Sequence, residues 1–197
     1  MKKILFLLLL VFTSLSVLAE KKLLIVDPNN IFPKVKLETT LGNIIIELDR
    51  VKAPLTVDNF LRYVVKGEYN NTIFHRVVPG FVVQGGGYDK DFTTLKTDQP
   101  IANESGNGLK NQYGTVAMAR LNKPHSATRQ FFFNVGDNKS LDSGSRWGYA
   151  VFGAIVEGEE VLAKMAAAET IFHEQQNWPD VPKEPIVLIK ATLLPAE

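Results

Sequence analysis

The chain has 197 residues, 45% of them hydrophobic and 22% charged, with 22 Lys and Arg against 21 Asp and Glu. That length fits one domain burying about 70% of the surface its unfolded chain exposes, so a core needs neither disulfides nor metal. Cysteine is absent, which excludes disulfide frameworks, thiolate zinc sites and cysteine nucleophiles together, and the balanced charge gives no basis for nucleic-acid binding.

Residues 1–19 read as a secretory signal peptide. Lys2 and Lys3 form the positive start, Ile4 to Val11 is unbroken apolar sequence, and Val17-Leu18-Ala19 gives the small-residue cleavage pattern. As a membrane anchor, Ile4 to Ala19 is short of the roughly 20 residues a span requires, and Thr13, Ser14 and Ser16 weaken it. Cleavage removes Lys2 and Lys3, so 22 basic residues become 20 against 21 acidic ones, a net charge of −1. The expected location is the periplasm, or the exterior where there is no outer membrane, without stable membrane insertion. Residues 20–33 form a lead-in with Asp27-Pro28-Asn29-Asn30 as a turn cluster, and the folded domain is expected over 34–195.

Strands are expected at Val35 to Thr39 and Asn43 to Leu48, joined by a turn at Leu41-Gly42-Asn43. Thr56 to Lys66 reads as a helix with Thr56 as its N-cap and Gly67 as its stop. Val57, Phe60, Leu61 and Val64 give it one apolar face. Thr72 to Val78 and Phe81 to Gln84 form a hairpin about Pro79-Gly80. Strand alternation puts Phe74 and Arg76 on one face, with His75 and Val77 on the other, and Val82 with Gln84 after the turn. Residues 86–110 are rich in Gly, Asn, Asp and Thr, as in a long functional or surface loop. Further strands are expected at Thr115 to Ala119, Gln130 to Asn134, Ala150 to Ile155 and Pro185 to Leu194, with a second helix over Glu159 to Ala168. Many strands with two helices point to a mainly β barrel or sandwich.

The three histidines, His75, His125 and His173, have no metal-ligand spacing, and Gly85-Gly86-Gly87 lacks the spacing of a phosphate loop. His75 is read as a hydrogen-bonded structural residue. Arg76 is the principal candidate, because the turn brings it near Phe81, Val82 and Gln84 and so beside an apolar floor. Gln130 and Phe132 share a strand face, while Phe131 and Phe133 point the other way, to the core.

The string Phe74-His75-Arg76-Val77-Val78-Pro79-Gly80-Phe81-Val82-Val83-Gln84-Gly85-Gly86-Gly87 resembles the signature of the cyclophilin-type peptidyl-prolyl isomerases. The resemblance continues through Gly114 to Arg120, Gln130 to Asn134 and Gly148 to Gly153, and its layout is closest to bacterial periplasmic members. It implies a closed eight-stranded antiparallel barrel capped by two helices. It implies rotation about Xaa-Pro peptide bonds, without metal or cofactor, in unfolded or flexible proline-containing polypeptides, by a monomer assisting the folding of exported proteins. By motif, Arg76, Phe81 and Gln84 fall at catalytic positions. Val82, Phe132, Leu141 and Tyr149 join Phe81 in the proline-ring pocket, and Gln130, Ala119 and the backbone of Arg120 pair with substrate. The alternative is a non-catalytic proline-peptide-binding module or chaperone of the same fold, which would have no need of a donor to the imide nitrogen. The sequence departs from many members at Val82, where they carry methionine, and at Tyr149, where they carry histidine. It also has Ser140 where cyclosporin-sensitive members have tryptophan, which implies weak cyclosporin binding.

Overall fold

The computed structural model describes residue 27 and residues 29–196. The expected signal peptide and most of the lead-in lie outside the described residues. The strands are β1 (Lys34–Thr39), β2 (Gly42–Leu48), β3 (Thr72–Phe74), β4 (Arg76–Val78), β5 (Val82–Gly85), β6 (Thr115–Met118), β7 (Phe131–Asn134), β8 (Val151–Glu157), β9 (Thr170–His173), β10 (Trp178–Pro182) and β11 (Ile186–Leu193). The helices are α1 (Pro54–Val65) and α2 (Glu159–Ala166), and Lys139–Leu141 is a single 3₁₀ turn.

Nine strands form one antiparallel sheet in the order β3-β11-β1-β2-β8-β6-β7-β5-β4. Its two end strands, β3 and β4, are joined by His75 alone, so the sheet returns to itself as a nearly closed barrel. Counted as one kinked strand, β3 and β4 give the eight expected. The kink has a pairing cause. Phe74 pairs with Ile186 on β11, whereas Arg76 pairs with Gln84 on β5, so the chain changes partner at His75. Alternation fails there as a result. Phe74 and Val77 both join the interior core, so Phe74 does not share the face of Arg76 as expected.

In β1 and β2 the period of two holds. Val35 and Leu37 on β1 and Ile44, Ile46 and Leu48 on β2 are fully buried, alternating with half-buried or exposed neighbours. The interior is closed by Val57, Phe60, Leu61 and Val64 of α1 and by Val161, Leu162 and Met165 of α2. Phe60 meets Tyr69, Phe131 and Phe152 with ring centroids 5.0, 5.3 and 5.2 Å away, so aromatic packing joins helix to sheet.

Helix α1 begins two residues before Thr56. Pro54 occupies its first turn, where a missing N–H costs nothing, and Ala53 takes the cap position without a side-chain bond. The capping comes from Glu104 in the long loop instead. Its carboxylate accepts the N–H groups of Leu55 (3.1 Å) and Thr56 (2.8 Å) and the Thr56 hydroxyl (2.6 Å). A negative charge suits that end of the helix. The described end of the lead-in docks on the barrel: Arg50 donates through Nη1 to the carbonyls of Asp27 and Asn30, both at 2.8 Å.

An antiparallel hairpin, β9 with β10, follows α2, bulged between Trp178 and Val181. No alternation announces it, and Pro179 and Pro182 argue against a strand. Among the described residues no helix is long and apolar enough to cross a membrane.

Candidate active site

Strand register builds the site as a row. Arg76 on β4 lies opposite Gln84 on β5, Gln84 opposite Phe132 on β7, Phe132 opposite Ala117 on β6, and Ala117 opposite Val151 on β8. Directly opposed residues point to the same side of a sheet. Phe131 and Phe133 belong to the interior core, so Phe132 and the whole row face outward. Two strand spacings, about 10 Å, separate the backbone at Arg76 from that at Phe132.

The far end of the row is apolar. Val82, Ala117, Phe132 and Val151 are buried there as a second cluster outside the barrel. Phe81, Leu141, Tyr149 and Ala119 pack against it. The structure therefore brings together all five side chains expected to hold a ring: Phe81, Val82, Phe132, Leu141 and Tyr149. Tyr149 meets Phe132 edge-on at 5.7 Å.

The near end is polar. Arg76 is half-buried rather than enclosed: its side chain is 37% exposed, and its Nε lies 3.7 Å from Asp180 Oδ2 on β10. Among the described residues no hydrogen bond engages its terminal amino groups, which leaves two donors directed from a fixed stem. Gln84 Nε2 donates to Gln130 Oε1 at 2.9 Å, so the two amides expected to orient a peptide are coupled. The Ala119 N–H donates to the Gln130 carbonyl at 2.9 Å, and no described residue engages the main-chain N–H or carbonyl of Arg120. That peptide unit is an open edge beside the row.

Three features were missed by sequence reasoning. First, the Arg120 side chain straps two loops. Its carbon Cζ lies 4.5 Å from the Tyr149 ring centroid, and it donates to the carbonyls of Gly148 (3.0 Å), Trp147 (2.8 Å) and Leu121 (2.9 Å). Second, Asn111, Asn134 and Asn138 form a buried amide chain. Asn138 Nδ2 donates to Asn134 Oδ1 (2.7 Å) and to the Phe81 carbonyl (2.8 Å), and Asn134 Nδ2 donates to Asn111 Oδ1 (3.2 Å). Phe81 is thereby fixed where the turn ends, its own N–H donating to Val78 across Gly80, which takes φ 69°. Third, Asp180 faces Arg76. Asn-rich sequence hinted at turns rather than a network, and nothing along the chain links position 180 to position 76.

Asp142 anchors the loop that carries Leu141. Burial raises its pKa, but the N–H and side-chain amide of Asn111 and the Lys110 ammonium outweigh that and hold the carboxyl below its usual value. Gly148 is required in the same loop, since a Cβ there would lie 2.6 Å from the Leu141 carbonyl oxygen. Ser140, just before Leu141, is exposed.

His75 is buried, with its ring 4.7 Å from Tyr88 and 5.8 Å from Trp178. Desolvation, and then the neighbouring Arg76 charge, lower its pKa to about 4, so it is neutral near pH 7. It was expected to be hydrogen-bonded. Its Nδ1 has no partner among the described residues, and the ring is held edge-on to Tyr88 and tilted against Trp178. His125 Nδ1 accepts the Asn103 N–H at 3.0 Å, and His173 stacks on Phe92 at 4.3 Å. The long loop over 86–110 thus serves structure: Glu104 caps α1, while the Asn103 amide and Ser105 hydroxyl bind Gly148.

Residues 34–193 match the family described as cyclophilin type peptidyl-prolyl cis-trans isomerase/CLD. The chain is 48% identical over 164 residues to peptidyl-prolyl cis-trans isomerase cyp18 of Streptomyces antibioticus, covering 81% of this chain and 98% of that one. It is 49% identical over 161 residues to peptidyl-prolyl cis-trans isomerase A of Dickeya dadantii, covering 81% and 84%. In fold it matches the crystal structure of a cyclophilin type peptidyl-prolyl cis-trans isomerase of Cryptosporidium parvum at TM-score 0.70 and 24% identity, over 84% of this chain and 99% of that one.

Proposed function

The chain belongs to the cyclophilin-type peptidyl-prolyl cis-trans isomerases and has that activity, and from this premise we propose that the row from Arg76 to Phe132 is where the bond turns. An Xaa-Pro amide is planar through resonance between the nitrogen lone pair and the carbonyl, and it isomerises over tens to hundreds of seconds unaided. No bond breaks, so no nucleophile is required. Catalysis needs only tighter binding of the twisted amide than of either planar form.

The apolar end of the row suits the proline ring. Phe81, Val82, Phe132, Leu141 and Tyr149 hold it still, so rotation falls on the acyl side. Gln84 and Gln130 orient the chain, and the open peptide edge at Arg120 with Ala119 beside it pairs with substrate backbone. Twisting localises the lone pair on the imide nitrogen. A donor there is favoured most in the transition state, and arginine keeps its proton at any working pH. No described residue engages either terminal amino group of Arg76, and that observation carries the assignment.

The test is exchange between the cis and trans NMR signals of a short Ala-Pro peptide. Arg76→Ala should lower the catalysed rate by at least about 100-fold, since a transition-state donor contributes on the order of 3 kcal/mol. A loss under ten-fold would remove Arg76 from the reaction.

We further propose that residues 1–19 are a cleaved signal, that residues 34–195 are the working domain, and that the enzyme acts in the periplasm as a monomer on exposed Xaa-Pro bonds of exported, unfolded or flexible chains. Cell fractionation with N-terminal sequencing checks this: the periplasmic protein should begin at Glu20.

A further inference from the structure

We infer that the outer edge of β9 is a docking strand for an extended segment of the polypeptide substrate, taken up by strand addition outside the Arg76 row. The inference rests on the reading of that row as the catalytic groove, because the groove is what brings a substrate chain alongside. The edge is open by register. Ile171 pairs with Val181 and Thr170 with Pro182, and the Lys183 N–H donates to the Glu169 carbonyl at 2.9 Å. Bonded and non-bonded pairs alternate along an antiparallel ladder. Glu169 with Lys183 and Ile171 with Val181 are therefore bonded pairs, and Pro182, which lacks an N–H, falls at a non-bonded one. Thr170 and Phe172 consequently turn their main-chain N–H and C=O groups away from β10. The sheet has two strands, and among the described residues no hydrogen bond engages those outward groups.

The side chains do nothing to block this edge. Exposed edges are ordinarily guarded by lysine, proline or another charge. Here the strand reads Thr-Ile-Phe-His, with Ile171 42% and Phe172 55% exposed, one on each face. Lys183 on the neighbouring chain is held by Glu169 at 3.1 Å. A guest strand would therefore meet unpaired main-chain groups flanked by apolar surface, which suits an extended chain of varied sequence.

Position selects the occupant. The other strand of the hairpin borders the row: Asp180 meets Arg76 at 3.7 Å, and the Trp178 and Tyr88 rings wall a cavity of about 350 Å³ beside Arg76, Gln84 and Gln130. β9 lies one strand spacing, about 5 Å, beyond β10, so a chain leaving the groove on that side passes its open edge. Docking there would hold nearby prolines at the row and raise their effective concentration. A second copy of this chain fits less well. Stable interfaces use roughly 20–30 residues a side, and this edge has 4.

The experiment joins Ala-Ala-Pro-Ala to Val-Thr-Val-Thr-Val, on either side of the proline, through a Gly-Ser spacer of about ten residues that spans up to roughly 35 Å. The control peptide carries Gly-Ser in place of the Val-Thr segment. One of the two Val-Thr peptides should show a KM about ten-fold below the control's with kcat unchanged. It should also slow hydrogen exchange at the Thr170 and Phe172 amides, which face outward, by at least about ten-fold. Phe172→Pro deletes an outward N–H without touching the ladder to β10, and should return KM to the control's value. Phe172→Lys places a charge on the same exposed edge and should raise KM at least about three-fold, which decides the matter if the proline variant fails to fold. Ala-Ala-Pro-Ala alone should be turned over equally by all three proteins. Equal KM for the Val-Thr and control peptides, or a Val-Thr preference that survives in the folded variants, would overturn the docking strand. So would protection of the Phe172 amide that grows with protein concentration in the absence of peptide, which would assign the edge to a second copy of this chain. Protection and a lowered KM with the Val-Thr peptide, together with a loss under ten-fold in Arg76→Ala, would support the docking strand and remove the catalytic role given to the row.

Discussion

In the role proposed for Arg76, orientation matters more than charge. A guanidinium on a flexible stem loses freedom whenever it is asked to aim, and a partner on its Nε restrains it without occupying its terminal donors. Asp180 supplies that partner from a strand distant in sequence. Both side chains are partly exposed, so the pair contributes at most about 1 kcal/mol to stability. Asp180→Asn should therefore leave the thermal midpoint within about 2 °C. It should lower kcat roughly two- to ten-fold, with KM little changed, because the loss is one of aim in the transition state. Asp180→Glu should restore part of the rate. An unchanged kcat in Asp180→Asn would mean the pair is incidental. Arg76 itself is legible in the sequence by its place beside Pro79-Gly80. Asp180 is not, because an ion pair between strands leaves no local pattern.

Among the elements, the proposed ring pocket requires the turn after β4 and the 3₁₀ turn at Lys139–Leu141 to hold Phe81 and Leu141 together. The buried Asn134 and Asn138 amides do this between β7 and the Phe81 carbonyl. Asn138→Ala would leave buried acceptors on Phe81 and Asn134 short of a donor, at about 1–3 kcal/mol. Thermal denaturation should show that loss, and kinetics should show KM raised several-fold with kcat nearly intact. If KM stays at the wild-type value while the midpoint falls, the network serves stability alone. Most elements here follow from their sequences. β1, β2 and α1 carry clear periods of two or 3.6, and their buried faces are the ones those periods give. The β9–β10 hairpin has neither period, and its pairing depends on a bulge around Pro179 that tolerates a proline only because the ladder is broken there.

Over the whole molecule, closure of the barrel passes through His75, and its burial has a consequence for stability. The unfolded chain protonates this ring as pH falls through about 6.5, whereas in the folded protein its pKa is about 4. The unfolded state thus holds more protons between those values, so stability declines as pH falls from 6.5 to 4 and is fully present above 6.5. The decline attributable to this residue is about 3 kcal/mol. Denaturant midpoints at pH 7 and pH 4.5 should differ less in His75→Gln than in the natural chain. The same difference in both would show that another group sets the acid limit. The depressed Asp142 carboxyl acts in a lower window, its contribution being lost as pH falls below the usual carboxylate value.

Beyond the site residues, which the family resemblance implied, the sequence by itself determined the mainly β class, the two amphipathic helices and the alternating faces of β1 and β2. These depend on periodicity and turn chemistry, which act within a few residues. Only the tertiary structure decided where α1 begins its capping, why Phe74 and Val77 share the interior, what restrains Arg76 and which rings wall the adjoining cavity. Each of those depends on groups far apart along the chain: Glu104 at the helix start, β11 and β5 dividing one strand between them, and Asp180 and Trp178 carried in on a separate hairpin. Such contacts are fixed by barrel closure and packing, and no window of sequence contains both partners.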